Sequence, residues 1–209
     1  MKGKFVVFDG MDGSGKGTQI ELLKKVFSDV VFTREPGGPP LAEEVRKIVR
    51  DNPLAGESTG LFHFLGFWMA REESVHKLVM PALNAGKHVF SDRGDSSTFA
   101  FQLFGEEQEG LIEMFAQLRS RVFFAPMRRP PDLYVIFDLP AEVARERALR
   151  DATRVANHFD VRNLAYYKRV REGFIEFAKH YQTVFVDASQ TPEKMHRDVR
   201  ISLAARGIS

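Results

Sequence analysis

The chain has 209 residues, of which 44% are hydrophobic and 28% charged, and its formal net charge is +2. This composition excludes a disordered chain, fits one sizeable domain, and gives no bulk-charge reason to expect nucleic-acid binding. The absence of cysteine excludes disulfides, thiolate zinc sites and a cysteine nucleophile, and suits a reducing cytoplasm.

In chain order, the opening apolar run Phe5 to Phe8 is strand-length, too short for a secretory core segment. Comparable runs rich in Val and Phe recur at Val30 to Phe32, His88 to Phe90, Leu133 to Phe137 and Val184 to Val186. Each predicts a strand buried on both faces. Between them lie stretches with helical spacing, such as Ile20, Leu23 and Phe27, or Val143, Ala144 and Ala148. Alternation of this kind predicts an α/β fold, a parallel sheet covered by helices on both faces. The most apolar stretch, Leu61 to Ala70, is too short to span a bilayer. The expectation is a cytoplasmic protein with no membrane association and no nucleic-acid partner.

The strand runs lead into Asp9, Arg34 with Glu35, Asp92 with Arg93, Asp138 and Asp187. Ligands of open parallel sheets bind beyond the carboxyl ends of the strands, so these residues are brought to one functional edge. After the first strand, residues 10 to 18 read Gly10, Met11, Asp12, Gly13, Ser14, Gly15, Lys16, Gly17 and Thr18. A strand, a glycine-rich loop, a lysine and a helix start in that order form a phosphate-binding loop. Its backbone N–H groups and the helix N-terminus favour the phosphates of ATP, and Lys16 supplies a mobile charge. Gly17 stands where Ser or Thr usually holds magnesium, which leaves Asp12 and Asp9 as available carboxylates.

The second strand presents Arg34, Glu35 and Pro36 on a Pro-Gly-Gly turn. Phe67 and Arg71 lie four apart on a helix and share a face. Such a pair can stack on and hydrogen-bond a nucleobase, although spacing alone favours a core ring beside a solvated arginine. Arg93 is placed to bridge donor and acceptor phosphates. Beside it, Asp95 and the hydroxyls of Ser96, Ser97 and Thr98 offer contacts to a sugar or base, or a helix cap. Arg147, Arg150 and Arg154 fall on one helical face, leading into a segment without helical period that reads as a flap able to close on ATP.

Together these residues resemble the thymidylate kinases, a branch of the nucleoside monophosphate kinases. The resemblance rests on Phe8 to Gly13, on Thr33 to Gly38 with Pro40 to Glu43, on Phe67 and Arg71, and on Asp92 with Arg93. Ser97, Thr98, Ala100, Phe101 and Gln102 also match, as do Pro131 to Asp138 and Val170 to Phe174. It implies a P-loop three-layer sandwich with a five-stranded parallel sheet and a short lid at about 147–160, in a single domain over 1–209. It also implies ATP and Mg2+, conversion of dTMP to dTDP for dTTP synthesis, and a homodimer with an apolar helix at its interface, for which Leu61 to Leu83 is a candidate. By this resemblance Phe67 stacks on thymine, Arg71 contacts the base, Arg93 the acceptor phosphate, and Asp12 the sugar or the metal. Arg34, Glu35, Pro36, Ser97, Thr98, Phe101 and Gln102 complete the acceptor site, while Lys16, Arg147, Arg150 and Arg154 serve ATP.

Several positions depart from the family pattern. Gly17 is like that of adenylate kinases, Gly94 replaces an aromatic or histidine, and the lid reads Asn157, His158, Phe159 and Asp160, which keeps only the acid of Asp160 as a metal candidate. Phe101 replaces a usual tyrosine. These departures leave two alternatives: a kinase for another nucleoside monophosphate, or a nucleotide-binding regulatory module without turnover.

Overall fold

A computed structural model describes residues 3–150 and 162–208. The five expected strands form as β1 (Phe5–Gly10), β2 (Val30–Arg34), β3 (His88–Asp92), β4 (Leu133–Asp138) and β5 (Thr183–Asp187). They pair in the order β2-β3-β1-β4-β5, and every pairing is parallel. Parallel neighbours need long crossovers, and the intervening helices supply them. These are α1 (Lys16–Val26), α2 (Pro40–Arg46), α3 (Gly60–Ser74), α4 (Met80–Asn84), the short α5 (Asp95–Ser97), α6 (Ile112–Phe123), α7 (Ala141–Arg150), α8 (Leu164–His180) and α9 (Pro192–Ala204). Wider π-type turns extend α2 through Asp51, link α3 to α4, and continue α5 from Thr98 to Gly105.

Hydrophobic burial fixes the layers. Phe5 to Phe8 of β1 and Leu133 to Phe137 of β4 are inaccessible to solvent or nearly so, and Leu23, Phe64, Phe115 and Phe177 close on them from the helices. The expectation of burial on both faces fails for β2 and β5, which are half-exposed along most of their length. They are the two edges of the sheet, so each has a neighbour on one side only. An apolar run reveals a strand but not its place in the sheet.

The register aligns the carboxyl ends. Phe8 pairs with Asp92, Arg34 with Asp92, and Asp138 with Asp187. The chain order reverses on either side of β1, which opens a crevice beyond β1 and β3. That crevice is where the loop after β1 and the segment after β3 meet.

The segment after β3 is anchored from beneath. Asp95 is wholly buried; Arg119 Nε donates to its Oδ2 at 2.7 Å and Tyr134 Oη to its Oδ1 at 2.7 Å. Asp95 therefore neither caps α5 nor reaches a sugar or base, as its position beside Arg93 had suggested. Burial, and then Asp95, push the Tyr134 hydroxyl well above its ordinary value. Removing one partner of a buried pair leaves the other charge uncompensated, at a cost of about 3–5 kcal/mol. Asp95→Ala is therefore expected to lose about that much stability in equilibrium urea unfolding, and a loss within about 1 kcal/mol would show that the pair is not structural.

Candidate nucleotide site

The glycine loop runs from β1 into α1 as its sequence requires. Gly10, Gly13 and Gly15 have φ of 145°, 81° and 79°, and Gly15 sits at the cap position before Lys16. Gly13 shows why this loop carries no side chain at its tip: a Cβ there would lie 2.4 Å from the Ala144 carbonyl oxygen of α7. The loop tip is thus pressed against the helix that leads toward residue 150. Met11 and Ser14 are buried within the loop, and the Ser14 hydroxyl has no hydrogen-bond partner. Gly17 and Thr18 face solvent. A side chain at 17 would meet nothing within 4 Å, so the missing hydroxyl reflects residue choice and not crowding.

Beside the loop, Arg93 adopts φ 70°, an uncommon region for a bulky residue that is found at functional positions. Its backbone is held there, with N donating to Phe8 O at 2.8 Å and O accepting from Ser91 Oγ at 2.7 Å. The guanidinium then reaches across the crevice. Nη1 donates to Asp9 Oδ1 at 3.0 Å, Gly10 O at 3.1 Å and Ser97 Oγ at 2.9 Å, and Nη2 donates to Asp12 Oδ1 at 2.7 Å. Burial opposes the charge on Arg93, but Asp12, Asp9 and Asp92 outweigh it and raise the pKa. The guanidinium also lies 4.9 Å over the Phe101 ring.

Asp9 is not available to a metal, contrary to the sequence expectation. It is wholly buried, and its carboxylate also accepts from Gly10 N at 2.9 Å, Ser96 Oγ at 2.6 Å and Ser97 Oγ at 2.7 Å. Lys16, largely buried, pairs with Asp92. Burial alone would raise the Asp92 carboxyl, but Lys16 and Arg93 hold it below the usual range.

The residues expected at the acceptor site converge on one cleft of about 270 Å³, lined by Asp12, Lys16, Arg34, Glu35, Pro36 and Phe67 on one part. Arg71, Arg93, Ser97, Thr98, Phe101 and Gln102 line the rest. On spacing, Arg71 could have been a solvated arginine, but it is 2% exposed. Its Nε donates to Glu35 Oε2 at 2.7 Å and its Nη2 to Thr98 Oγ1 at 2.9 Å, while Nη1 is buried without a hydrogen-bond partner among the described residues. Such an orphaned donor facing a cleft is suited to a ligand acceptor.

The cleft also holds Asp92, expected at this edge of the sheet, and Gly94, Arg46 and Arg50, which were not expected as site residues. For the arginines the available signal was their helical spacing from the buried Val45 and Val49. Glu43 explains much of the turn after β2: it accepts from Arg34 Nε and Nη2 at 3.1 and 2.9 Å and from Gly38 N at 2.8 Å.

Two expected ATP contacts lie elsewhere in this structure. Arg147 Nη1 donates to Ala188 O at 3.0 Å, and Arg150 pairs with Glu146 one turn back, with 78% of its side chain exposed. Neither lines the cleft. Arg154, Asp160 and most of the expected flap lie outside the described residues.

Burial pushes the Glu35 carboxyl up to about 7, against the opposing pull of Arg71 and with Asp95 and Asp9 adding to the rise. Between the ordinary value of 4.5 and about 7, folded Glu35 keeps a proton that the unfolded chain has released. Its contribution to stability is therefore complete below the ordinary value and is lost as pH rises through about 7. The melting temperature of the wild type relative to Glu35→Gln is expected to decline over that window, and parallel profiles would contradict this assignment.

The thymidylate kinase family model matches residues 8–199. The thymidylate kinase of Pelotomaculum thermopropionicum is 37% identical over 207 residues, covering 95% of this chain and 92% of that protein. The thymidylate kinase of a Geobacillus species is 34% identical over 202 residues, covering 93% of each. The crystal structure of thymidylate kinase from Ehrlichia chaffeensis superposes with a TM-score of 0.73 at 29% identity, covering 98% of this chain and 99% of that one.

Proposed function

The chain belongs to the thymidylate kinase family, and we infer that its cleft transfers a phosphoryl group from ATP to dTMP, giving ADP and dTDP. The observation that carries this reading is the meeting in one cleft of Lys16 from the glycine loop with Phe67, Arg71 and Arg93. The loop supports the donor end. The unpartnered Arg71 Nη1 and the half-buried ring of Phe67 support a thymine site, where the ring stacks on the base and the guanidinium donates to a base carbonyl. Thr98 and Glu35 fix Arg71 from behind. Phe101 and Gln102 flank the sugar.

Transfer is in line, from the ATP γ-phosphate to an acceptor phosphate oxygen, with no covalent enzyme intermediate. Lys16 and Arg93 neutralise the charge that develops between the two phosphates. Both arrive paired with carboxylates, so nucleotide binding exchanges Asp92 and Asp12 for phosphate oxygens. Asp12, at the loop tip, orients the acceptor. Arg147, Arg150 and Arg154 are read as the donor-side cations of a lid over about 147–160, within one domain spanning 1–209.

Mg2+ supplies charge neutralisation of the donor phosphates when bound. Among the described residues no group of three His, Cys, Asp or Glu side chains could hold a metal ion. This suits an ion that keeps most of its waters and takes few protein carboxylates. Asp12 and Asp92, both lining the cleft, are the residues that would hold it, with Asp160 retained from the sequence reading.

We read the protein as a homodimer. Leu61, Phe62, Leu65 and Met69 expose one face of α3, while Phe64, Trp68 and Ala70 bury the other. An apolar stripe of this kind marks an interaction surface. Among the described residues no helix is long and apolar enough to cross a membrane, and the lack of cysteine suits the cytoplasm.

Steady-state kinetics test the assignment. Arg93→Ala is expected to lower kcat about 10³-fold with ATP binding little changed. Phe67→Ala is expected to raise KM for dTMP about tenfold and leave KM for ATP alone. Weakened ATP affinity in the Phe67 variant, or an unchanged kcat in the Arg93 variant, would contradict the placement.

A further inference from the structure

The guanidinium of Arg93 is held at its nitrogens by hydrogen bonds and at its face by a ring. Nη1 donates to Asp9, Gly10 O and Ser97, and Nη2 to Asp12. The central carbon lies over the Phe101 ring, 4.9 Å from its centre, within reach of a cation–π attraction. Phe101 follows Ser97 by one turn in a single helical run, α5 with its π-type extension from Thr98 to Gly105. One run therefore supplies a hydroxyl for the edge of the guanidinium and a ring for its face. π-type turns of this kind occur frequently at functional sites.

The ring is itself fixed from behind. Phe174 of α8 meets it edge-on, with centres 5.9 Å apart and planes at 86°, and Tyr166 packs on it at 6.5 Å. Both of those rings are buried. The approach of α8 is so close that a Cβ on Gly173 would lie 2.8 Å from Ala100 Cα, beside Phe101 in the chain. Close packing of this kind leaves the ring little room to shift.

A carboxylate and a ring hold a cation differently. Asp12 neutralises the charge of Arg93 and occupies N–H groups that a phosphate would use. The ring attracts the cation through its quadrupole and occupies none of them. The Asp12 side chain is 17% exposed, whereas that of Asp9 is inaccessible. If a phosphate takes the place of Asp12, the hydrogen bonds that remain among the described residues are all at Nη1. The ring is then what keeps the Nη2 end from tilting.

We propose that Phe101 is a positioning residue for phosphoryl transfer, whose ring face holds the Arg93 guanidinium in line while Asp12 is exchanged for phosphate. The proposal rests on the reading of this cleft as the dTMP site, and adds a role on Arg93 to the ring's place beside the sugar. That role requires a π face and no hydroxyl, so phenylalanine serves where the family usually has tyrosine.

Fluorinated phenylalanines test it, because each added fluorine withdraws electron density from the ring face with little change of shape. Residue 101 is replaced in turn by mono-, di- and trifluorinated phenylalanine, alongside Phe101→Leu and Phe101→Tyr. Each protein is measured for kcat, for the dissociation constants of ATP and dTMP, and for melting temperature. Across the fluorinated series kcat is expected to fall stepwise, by about fivefold in all, while both dissociation constants stay within about twofold and the melting temperature holds. F101L is expected to lower kcat about tenfold, and F101Y to keep it. A kcat that ignores fluorine content would overturn the proposal. So would a dTMP affinity that falls in step with kcat, which would confine the ring to the sugar. Failure of the wild type itself to turn over dTMP would instead overturn the reading of the cleft.

Discussion

The site is organised around one buried carboxylate. Asp9, at the end of the central strand β1, accepts hydrogen bonds from Gly10 N, Ser96 Oγ, Ser97 Oγ and Arg93 Nη1. Gly10 opens the phosphate loop, the serines open α5, and Arg93 is the guanidinium between them. A fully buried carboxylate is tolerable only if its oxygens are satisfied. That requirement forces three separate chain segments into one arrangement. The left-handed backbone at Arg93 is the local cost of it, and the anchoring of Asp95 by Arg119 and Tyr134 supports the same segment from below.

A second consequence is that the cations are aimed before nucleotide arrives. Lys16 and Arg93 rest on Asp92 and on Asp9 with Asp12; on the proposed reading, their side chains need little reordering when phosphates replace the partially accessible carboxylates. Preorganised charge of this kind is where phosphoryl-transfer enzymes gain most of their effect. Asp9 cannot be displaced in the same way, because it lies in the core. It keeps Arg93 oriented while Asp12 gives way.

Much of this was legible in the sequence. The five strands and the glycine loop lie where local pattern puts them, because each depends on neighbours a few residues away, and the residues proposed for the acceptor, from Arg34 to Gln102, line one cleft. What could not be read depends on long-range partners. The apolar runs of β2 and β5 do not say that these strands are edges. Asp9 and Asp95 look like ligands until Ser96, Ser97 and Arg119 are seen to occupy them, at sequence separations of 87, 88 and 24 residues. Arg46 and Arg50 line the cleft beside the close packing of Val49 on Gly66, a contact that no local pattern shows.

On this arrangement the charge of Asp9 aims Arg93 without taking part in ATP binding. Asp9→Asn preserves shape but replaces one acceptor oxygen by a donor that faces donors. Comparing kcat with the ATP dissociation constant, in a variant whose circular dichroism matches the wild type, tests the claim most directly. The expected result is a kcat lower by about 10²-fold or more with ATP affinity within about threefold. A variant that keeps its kcat, or loses ATP affinity in proportion to it, would show that Asp9 does not act through Arg93.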